Sequence, residues 1–525
     1  MIIDVAVAGA GPTGLLLAAE LAMQGVRVVV LERNVERPTF VRAFNLNSRS
    51  LEILDRRGIV ERFLAEGPKV PFTHFAALDN PLSLVDQDTD HAYVLGIPQT
   101  RTEELLEAHA LAQGAEIRRG HEIVEVEQDD DGATIRLHVA RDGDPQGTVH
   151  SIRARWLVGC DGGHSTVRKR AGIAFPGTAA TRWALLGDVE LEDPASLSYG
   201  NHQTPRGSVF VIPRPGYVRV IASDLFPPED PAAPVTLDQL RDAVAQLLGR
   251  KVALTRPRWL TRFGNAARLA ERFRLGCVLL AGDAAHVHPP AGAQGLNVGL
   301  QDAFNLGWKL AAVVRGDAPE ELLESYHRER HAAGERLLMQ TRAQAELGQT
   351  GERLEPVRGL LRSLAQDEAV RRQLAAMVMG LDTRYEVADP QTAARQPWLG
   401  KLAPNVPVIA DGAATSLAAC LRRGRAVFLL RPARDDLRVP SEPWIERLTL
   451  SRISPQAREP AWLTDVDAAL IRPDGHIAWM ATSNSDLAAL PSALQRWVGT
   501  GPAALQVNET SLAARSRMTL SNGSP

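Results

Sequence analysis

A short apolar run, Ile3 to Ala8, ends in Gly9-Ala10-Gly11-Pro12-Thr13-Gly14. β-Branched residues in a run of this length suit a strand buried on both faces. From Pro12 the pattern Leu15-Leu16-Leu17-Ala18-Ala19-Glu20-Leu21-Ala22 predicts a buried helix stopped by Gly25, and Val26 to Leu31 a second strand with Glu32 at its carboxyl end. The result is one βαβ unit. Each glycine has a mechanical reason. Gly9 permits the tight turn, Gly11 lets the backbone approach a pyrophosphate, and Gly14 lets the helix pack on the strand. The helix begins at Pro12, which lacks an N–H, and offers unpaired N–H groups from Thr13 onward, and the Glu32 carboxylate can hold ribose hydroxyls. A carboxylate where a 2′-phosphate would otherwise sit argues that NADP is not the dinucleotide of this unit.

Two later stretches narrow the choice. Cys160-Asp161-Gly162-Gly163-His164-Ser165-Thr166-Val167-Arg168 follows the strand-like Trp156 to Val158, and Gly282-Asp283-Ala284-Ala285-His286 follows the apolar Cys277 to Ala281. The second continues through the Gly/Pro-rich segment containing Pro290 to Gly295-Leu296-Asn297, where a long helix to Val314 begins. Asp283 at a strand end can accept hydrogen bonds from ribityl hydroxyls. A helix whose N-terminus lies near Gly295 to Asn297, running from Asn297 to Val314, can set its positive end against a flavin pyrimidine, where negative charge collects on reduction. The three stretches make sense together around one FAD. The His286/His288 pair lacks a clear third ligand nearby and reads as loop packing, so no metal is expected. Cys160 reads as a packed residue, not a nucleophile.

With 525 residues, 45% hydrophobic and 23% charged, the chain can bury a large core in more than one domain. A net charge of −3 gives no reason to expect nucleic acid or an anionic membrane. No apolar run reaches spanning length and the start carries no basic leader, so a cytoplasmic, unprocessed chain is expected. Three scattered cysteines without a CxxC indicate neither a disulfide framework nor a zinc site.

Further along, helices are expected over Ser48 to Arg57, over Thr102 to Gln113 with Thr102 as N-cap, and over Glu321 to Leu347. Strands are expected at Ile123 to Val126 and Thr134 to Val139, with turns at Asp129-Asp130-Asp131-Gly132 and Asp142-Gly143-Asp144-Pro145. Arg182 to Ser223 alternates like an antiparallel sheet. Beyond residue 395 the pattern changes, with strands at Ala426 to Leu430 and Ala469 to Arg472.

On these motifs, with Gln301-Asp302-Ala303-Phe304-Asn305-Leu306-Gly307-Trp308-Lys309-Leu310 and Ile471-Arg472-Pro473-Asp474-Gly475-His476-Ile477-Ala478-Trp479, the chain resembles the single-component, FAD-dependent aromatic hydroxylases (class A flavoprotein monooxygenases). More narrowly it looks like the actinobacterial polyketide and antibiotic hydroxylases, including the rifampicin monooxygenases. The resemblance implies an α/β fold: a Rossmann-type FAD-binding domain over 1–180 and 265–345, and an inserted antiparallel-sheet substrate domain over 70–100 and 181–264. A helical linker over 346–395, a thioredoxin-like C-terminal domain without CxxC over 396–505 and a tail over 506–525 complete it. It further implies FAD contacts from Gly9, Gly11, Pro12, Thr13, Gly14, Glu32, Arg33, Arg42, Gln99, Gly282, Asp283, Gly295, Leu296 and Asn297. Asp161 is associated with both FAD and NAD(P)H, and Val124 lies near adenine by position. Relatives of this kind commonly carry a smaller residue where Phe44 or Asn45 stands.

The activity so implied is transfer of one oxygen atom from O2 to a polycyclic aromatic polyketide or antibiotic through a flavin C4a-hydroperoxide, with NAD(P)H, NADPH favoured, as reductant. No catalytic base is assigned, Arg42 being the one side chain singled out. Trp183, Phe210, Ile212 and Pro290 are the candidate substrate contacts. Baeyer–Villiger oxidation, oxidative ring rearrangement, rifamycin-type inactivation and a flavin-carrying drug-sequestering protein are the alternatives. A halogenase is disfavoured, because none of the nine tryptophans forms a WxW. A monomer or homodimer is expected.

Overall fold

The computed structural model describes residues 3–499, apart from 77, 79, 142–143, 350, 433–446 and 455–460. The expected tail over 506–525, the last residues of the C-terminal domain and Asp142-Gly143 of one turn lie outside them. The opening βαβ unit forms as strand Ile3–Ala8, helix Pro12–Met23 and strand Val28–Glu32. Ile3–Ala8 is central in a sheet, pairing in parallel with Val28–Glu32 on one side and Asp144–Gly159 on the other. Val278–Leu280 and Glu116–Arg119 extend it in parallel at either end. His121–Asp129 and Gly132–Arg141 fold against Asp144–Gly159 as an antiparallel ribbon. Val5–Ala8, Val28–Leu31 and Val278–Leu280 are buried on both faces, which explains their unbroken Val/Leu/Ala content, whereas the edge strand Glu116–Arg119 is polar and partly exposed.

Helix Pro12–Met23 packs against the long helix Gly295–Val314, which in turn packs against Leu322–Leu347. Contact between the first two is close because Gly307 leaves no side chain facing Glu20: a Cβ there would lie 2.4 Å from the Glu20 Cβ. The predicted start at Thr102 is corrected. The helix runs from Gln99 to Ala112 with Pro98 at the N-cap, and the Thr102 hydroxyl donates to the Pro98 carbonyl from inside the first turn. Proline cannot donate a backbone hydrogen bond, so a helix readily begins just after it.

A second, five-stranded antiparallel sheet runs in the order Gly200–Thr204, Gly207–Arg214, Tyr217–Leu225, Trp183–Leu191, Leu254–Gly264. Helix Leu237–Leu248 covers one face through Leu240, Val244 and Leu247, against Val189, Val209, Val211 and Val220. The helix carries a capping box between Thr236 and Gln239 and ends at Gly249, whose φ is 69°. The segment 70–100, grouped in sequence with this sheet, contributes no strand to it. Lys69–Val70 and Val94–Gly96 pair in a small sheet with Asn45–Leu46, and Phe72–Thr73 pairs with Leu82–Ser83. Two- and three-residue strands carry no period from which pairing could be read.

A third sheet lies toward the C-terminus, in the order Ala413–Ser416, Pro407–Ala410, Leu448–Ile453, Ala426–Leu430, Ala468–Ile471, Ile477–Ala481. Its only parallel pair among the described residues is Ala426–Leu430 with Leu448–Ile453. No helix among the described residues is long and apolar enough to cross a membrane.

Candidate functional site

The three motifs converge at the carboxyl ends of the central parallel strands. Gly9 has φ +98°, and a Cβ there would stand 2.6 Å from the Cys160 carbonyl oxygen. A Cβ on Gly14 would lie 2.1 Å from the Gly9 oxygen, so only glycine allows this approach of helix to loop. A Cβ on Gly11 meets nothing within 4 Å. Gly11 therefore borders open space at the N-terminus of the helix, which begins at Pro12 and has no side-chain cap. The Thr13 side chain is enclosed: Cβ atoms on Gly282 and Gly299 would lie 2.8 and 2.3 Å from its Oγ1. Thr13 thus joins the first motif to the third and leaves its backbone for a ligand.

Glu32 stands at its strand end as predicted. One carboxylate oxygen accepts from the Ala10 N–H at 2.8 Å and the other from Asn34 N–H at 2.9 Å, so the side chain also fixes the loop it faces. Arg33 is exposed beside it.

In the second motif, one Asp161 oxygen accepts from the N–H groups of Thr166 and Val167 at 2.7 and 3.1 Å, while the other is buried without a partner. Ser165 caps the same turn by accepting from Arg168 N–H. Arg168 stacks its guanidinium 3.7 Å from the Phe175 ring and donates to the carbonyls of Gly163 and Ala284. It staples the second motif to the third. Burial pushes the Cys160 thiol well up, consistent with packing, not reactivity. Val124 is half-buried on its strand, its carbonyl accepting from Arg170.

In the third motif, Gly282 takes φ +63° and Asp283 is exposed beside it. A Cβ on Gly295 would be 3.9 Å from the Asp283 carboxylate, so this carboxylate borders the start of the 295–314 helix. The first N–H groups of that helix, Gly295, Leu296 and Asn297, have no intrahelical acceptor, and no side chain caps them. The Asn297 side chain is turned inward. Its Oδ1 accepts from Asn47 N–H at 2.9 Å and from the Ser50 hydroxyl at 2.7 Å, so its free contribution is the backbone. His286 is fully buried against Asp302. Burial, with His286 alongside, lowers the His288 pKa to about 4. Among the described residues no group of three or more His, Cys, Asp or Glu side chains could hold a metal ion. Pro290 is exposed in the loop ahead of Gly295.

The loop 40–47 joins this centre to the five-stranded sheet. Gln99 N–H donates to the Ala43 carbonyl, and the Gln99 side chain donates to Glu103. Arg219 pairs through two hydrogen bonds with Asp188 and also donates to the carbonyls of Val41 and Arg42. Phe44 lies under two guanidinium groups, Arg214 at 3.5 Å and Arg219 at 4.6 Å, and Phe40 stacks on Trp259 at 4.7 Å. Arg42 is exposed, 5.4 Å from the Phe40 ring. Asp188 and Arg219 escaped the sequence reading. The available signal was a charged residue at mid-strand, Asp188 in Trp183–Leu191 and Arg219 in Tyr217–Leu225, each flanked by apolar neighbours.

Cross-strand register decides which substrate candidates share a face. Ile212 stands opposite Arg219 and Phe210 opposite Ile221, on the face away from helix 237–248. Phe210 is 41% exposed there. Trp183 has the parity of Leu185 and Val189, which pack toward the helix. It does not join Phe210 and Ile212.

These features fit FAD: an open helix start at Gly11, an unpartnered buried oxygen on Asp161, an exposed carboxylate at Asp283 and an uncapped helix start at Gly295. The FAD binding domain family matches residues 2–341, and the aromatic-ring hydroxylase C-terminal family matches 396–501. The chain is 39% identical over 509 residues to a 12-dehydrotetracycline 5-monooxygenase/anhydrotetracycline 6-monooxygenase of Streptomyces rimosus, covering 94% of this chain and 99% of that one. It is 41% identical over 507 residues to a rifampicin monooxygenase of Streptomyces venezuelae, covering 95% and 99%. The solved anhydrotetracycline hydroxylase of Streptomyces rimosus superposes with a TM-score of 0.86 at 38% identity, covering 95% of this chain and 100% of that one.

Proposed function

This chain belongs to the FAD-dependent aromatic-ring hydroxylases and is an FAD-dependent monooxygenase, and from that premise we propose that it transfers one oxygen atom from O2 to a polycyclic aromatic polyketide or a related antibiotic. The observation that carries this reading is the convergence of three distant motifs through Thr13 and Arg168, next to a sheet face left uncovered by its helix. The substrate class follows from the tetracycline-type and rifampicin substrates named for relatives that match nearly the whole chain.

When bound, FAD supplies the redox chemistry, accepting hydride from NAD(P)H and activating O2 for transfer to an electron-rich ring. The residues of the chain hold and orient. The loop Gly9 to Gly14 and the N–H groups after Gly11 take the pyrophosphate, and Glu32 takes ribose hydroxyls. Asp283 takes ribityl hydroxyls, and the backbone of Gly295, Leu296 and Asn297 faces the flavin pyrimidine. Arg33, Arg42, Gln99, Val124 and Asp161 border the same site. Phe210 and Ile212 exclude water from one side of the substrate, and the Arg219–Asp188 pair keeps the loop 40–45 against that face. NADPH is the preferred reductant.

The chain divides into a flavin unit over 1–180 and 265–345, a substrate sheet over 181–264, a helical linker over 346–395 and a C-terminal unit from 396. The last is read as thioredoxin-like. In support, Ala426–Leu430 runs parallel to Leu448–Ile453 and antiparallel to Ala468–Ile471, which is antiparallel to Ile477–Ala481, with helix Leu490–Val498 following.

The test is the visible spectrum of the purified protein, followed by rapid mixing with NADPH across tetracycline-type, rifamycin-type and smaller phenols. The expected result is a yellow protein whose flavin bands bleach faster with one polycyclic compound, with a product one oxygen atom heavier. Faster bleaching only with single-ring phenols would overturn the substrate class. A protein that takes up no flavin on reconstitution would overturn the site.

A further inference from the structure

The turn that presents Asp283 has no side chain of its own to hold it, because Gly282 supplies the left-handed residue. Its anchor comes from the 295–314 helix. Asp302 is fully buried, and its Oδ2 accepts from Gly282 N–H at 2.9 Å while standing 2.7 Å from His286 Nε2. Its Oδ1 accepts from Arg330 Nε at 2.7 Å. One carboxylate therefore holds both ends of the segment 282–286. Arg330, on the 322–347 helix, also donates to the Val298 carbonyl at 3.4 Å, in the first turn of the helix that begins at Gly295. Its third contact is the Tyr385 hydroxyl at 3.1 Å. The Tyr385 ring lies 4.3 Å from the ring of His476 and 5.3 Å from the Arg472 guanidinium, both in the C-terminal unit. Beside it Arg472 pairs through two hydrogen bonds with Glu329 at 2.6 and 2.9 Å, so the C-terminal unit is tied to the same helix twice.

We propose that Asp302 is the positioning residue of the flavin site, holding the Gly282–Asp283 turn and the start of the 295–314 helix as one piece, and that Arg330 and Tyr385 tie this piece to the C-terminal unit. The inference rests on the reading that this turn and this helix start face FAD. A bare buried carboxylate would be costly, and here every partner is a donor that also orients part of the site. The C-terminal unit thereby acts on the cofactor site through contacts relayed by Tyr385 and Arg330.

The test is titration of the apoprotein with FAD, followed by flavin fluorescence, together with amide hydrogen exchange of the segment 281–286. Three variants are compared with the natural chain. Asp302→Asn is expected to raise the Kd for FAD about tenfold or more, the effect of losing a buried hydrogen bond to a charged group, and to speed exchange over 281–286. Tyr385→Phe removes one hydroxyl and is expected to raise the Kd by about threefold. Glu20→Gln removes the charge from the equally buried pair with Arg57, which makes no contact with the segment 282–286, and is expected to lower thermal stability while leaving the Kd unchanged. If Asp302→Asn loses stability as Glu20→Gln does but keeps the natural Kd and exchange, Asp302 only fills the core and the proposal fails. If Asp302→Asn does not fold, Tyr385→Phe decides: an unchanged Kd and unchanged exchange overturn it. A natural chain that takes up no FAD fails the underlying functional reading instead, and exchange over 281–286 in the apoproteins still judges the positioning role.

Discussion

The Arg219 guanidinium meets both carboxylate oxygens of Asp188, at 2.7 and 2.8 Å, across neighbouring strands of the five-stranded sheet. Arg219 also donates to the carbonyls of Val41 and Arg42, so a pair inside one sheet fastens a loop that belongs to another part of the fold. Both side chains are buried. Removing the carboxylate would leave a buried guanidinium with two carbonyls and the Phe44 and Trp259 rings as partners, and no counter-charge. Asp188→Ala is therefore expected to cost about 3 kcal/mol, the lower end for a broken buried pair, because those carbonyls remain. Urea unfolding checks the stability loss. The accompanying freedom of loop 40–45 is expected as a raised KM for the aromatic substrate.

Two glycines of the first motif should fail in different ways. Gly11 faces open space, so Gly11→Val is expected to leave the thermal stability of the apoprotein unchanged while abolishing FAD uptake. Gly14 has the Gly9 oxygen 2.1 Å from where a Cβ would go, so Gly14→Ala is expected to destabilise the apoprotein itself, by about 1–3 kcal/mol. Differential scanning calorimetry with and without FAD separates the two outcomes.

Adjacent residues on one strand should likewise divide between binding and folding. Val211 is buried against the helix 237–248, whereas Ile212 stands on the opposite face, across from Arg219. Val211→Ala is expected to cost about 2 kcal/mol of stability with KM unchanged. Ile212→Ala is expected to raise KM several-fold with little loss of stability. Steady-state NADPH oxidation and urea unfolding on the same two variants check the split.

Burial, with Arg57 and Arg62 nearby, lowers the His109 pKa from 6.5 to about 4. The folded chain keeps this ring neutral while the unfolded chain protonates it near 6.5. Between those values the unfolded state binds the extra proton, so stability is full above pH 6.5 and falls as the pH drops toward 4. The slope for one such group is about 1.4 kcal/mol per pH unit. His109→Asn is expected to remove one proton's share of that slope, measured as the difference between natural and variant chains, in which the carboxylates common to both cancel.

Where local period and glycine chemistry act within one element, the sequence was sufficient. Strand Ile3–Ala8, helix Pro12–Met23, helix Gly295–Val314 and the alternating run after Arg182 were legible because burial on two faces, one face or alternate residues leaves a different periodicity in each. The close turns at Gly9, Gly14 and Gly282 were legible because a backbone that passes this near its neighbour, or takes a positive φ, excludes side chains, and that exclusion is written as glycine. Pairing across the chain was not legible. Nothing local to Asn45–Leu46 announces Val94–Gly96 as its neighbour, and Trp183 differs from Ile212 in face only through register with adjoining strands. The same holds for Asp302 with Arg330 and for Asp188 with Arg219. A charged residue in an apolar pattern announces that it needs a partner, but which partner depends on how the elements cross, and the tertiary structure alone decides that crossing.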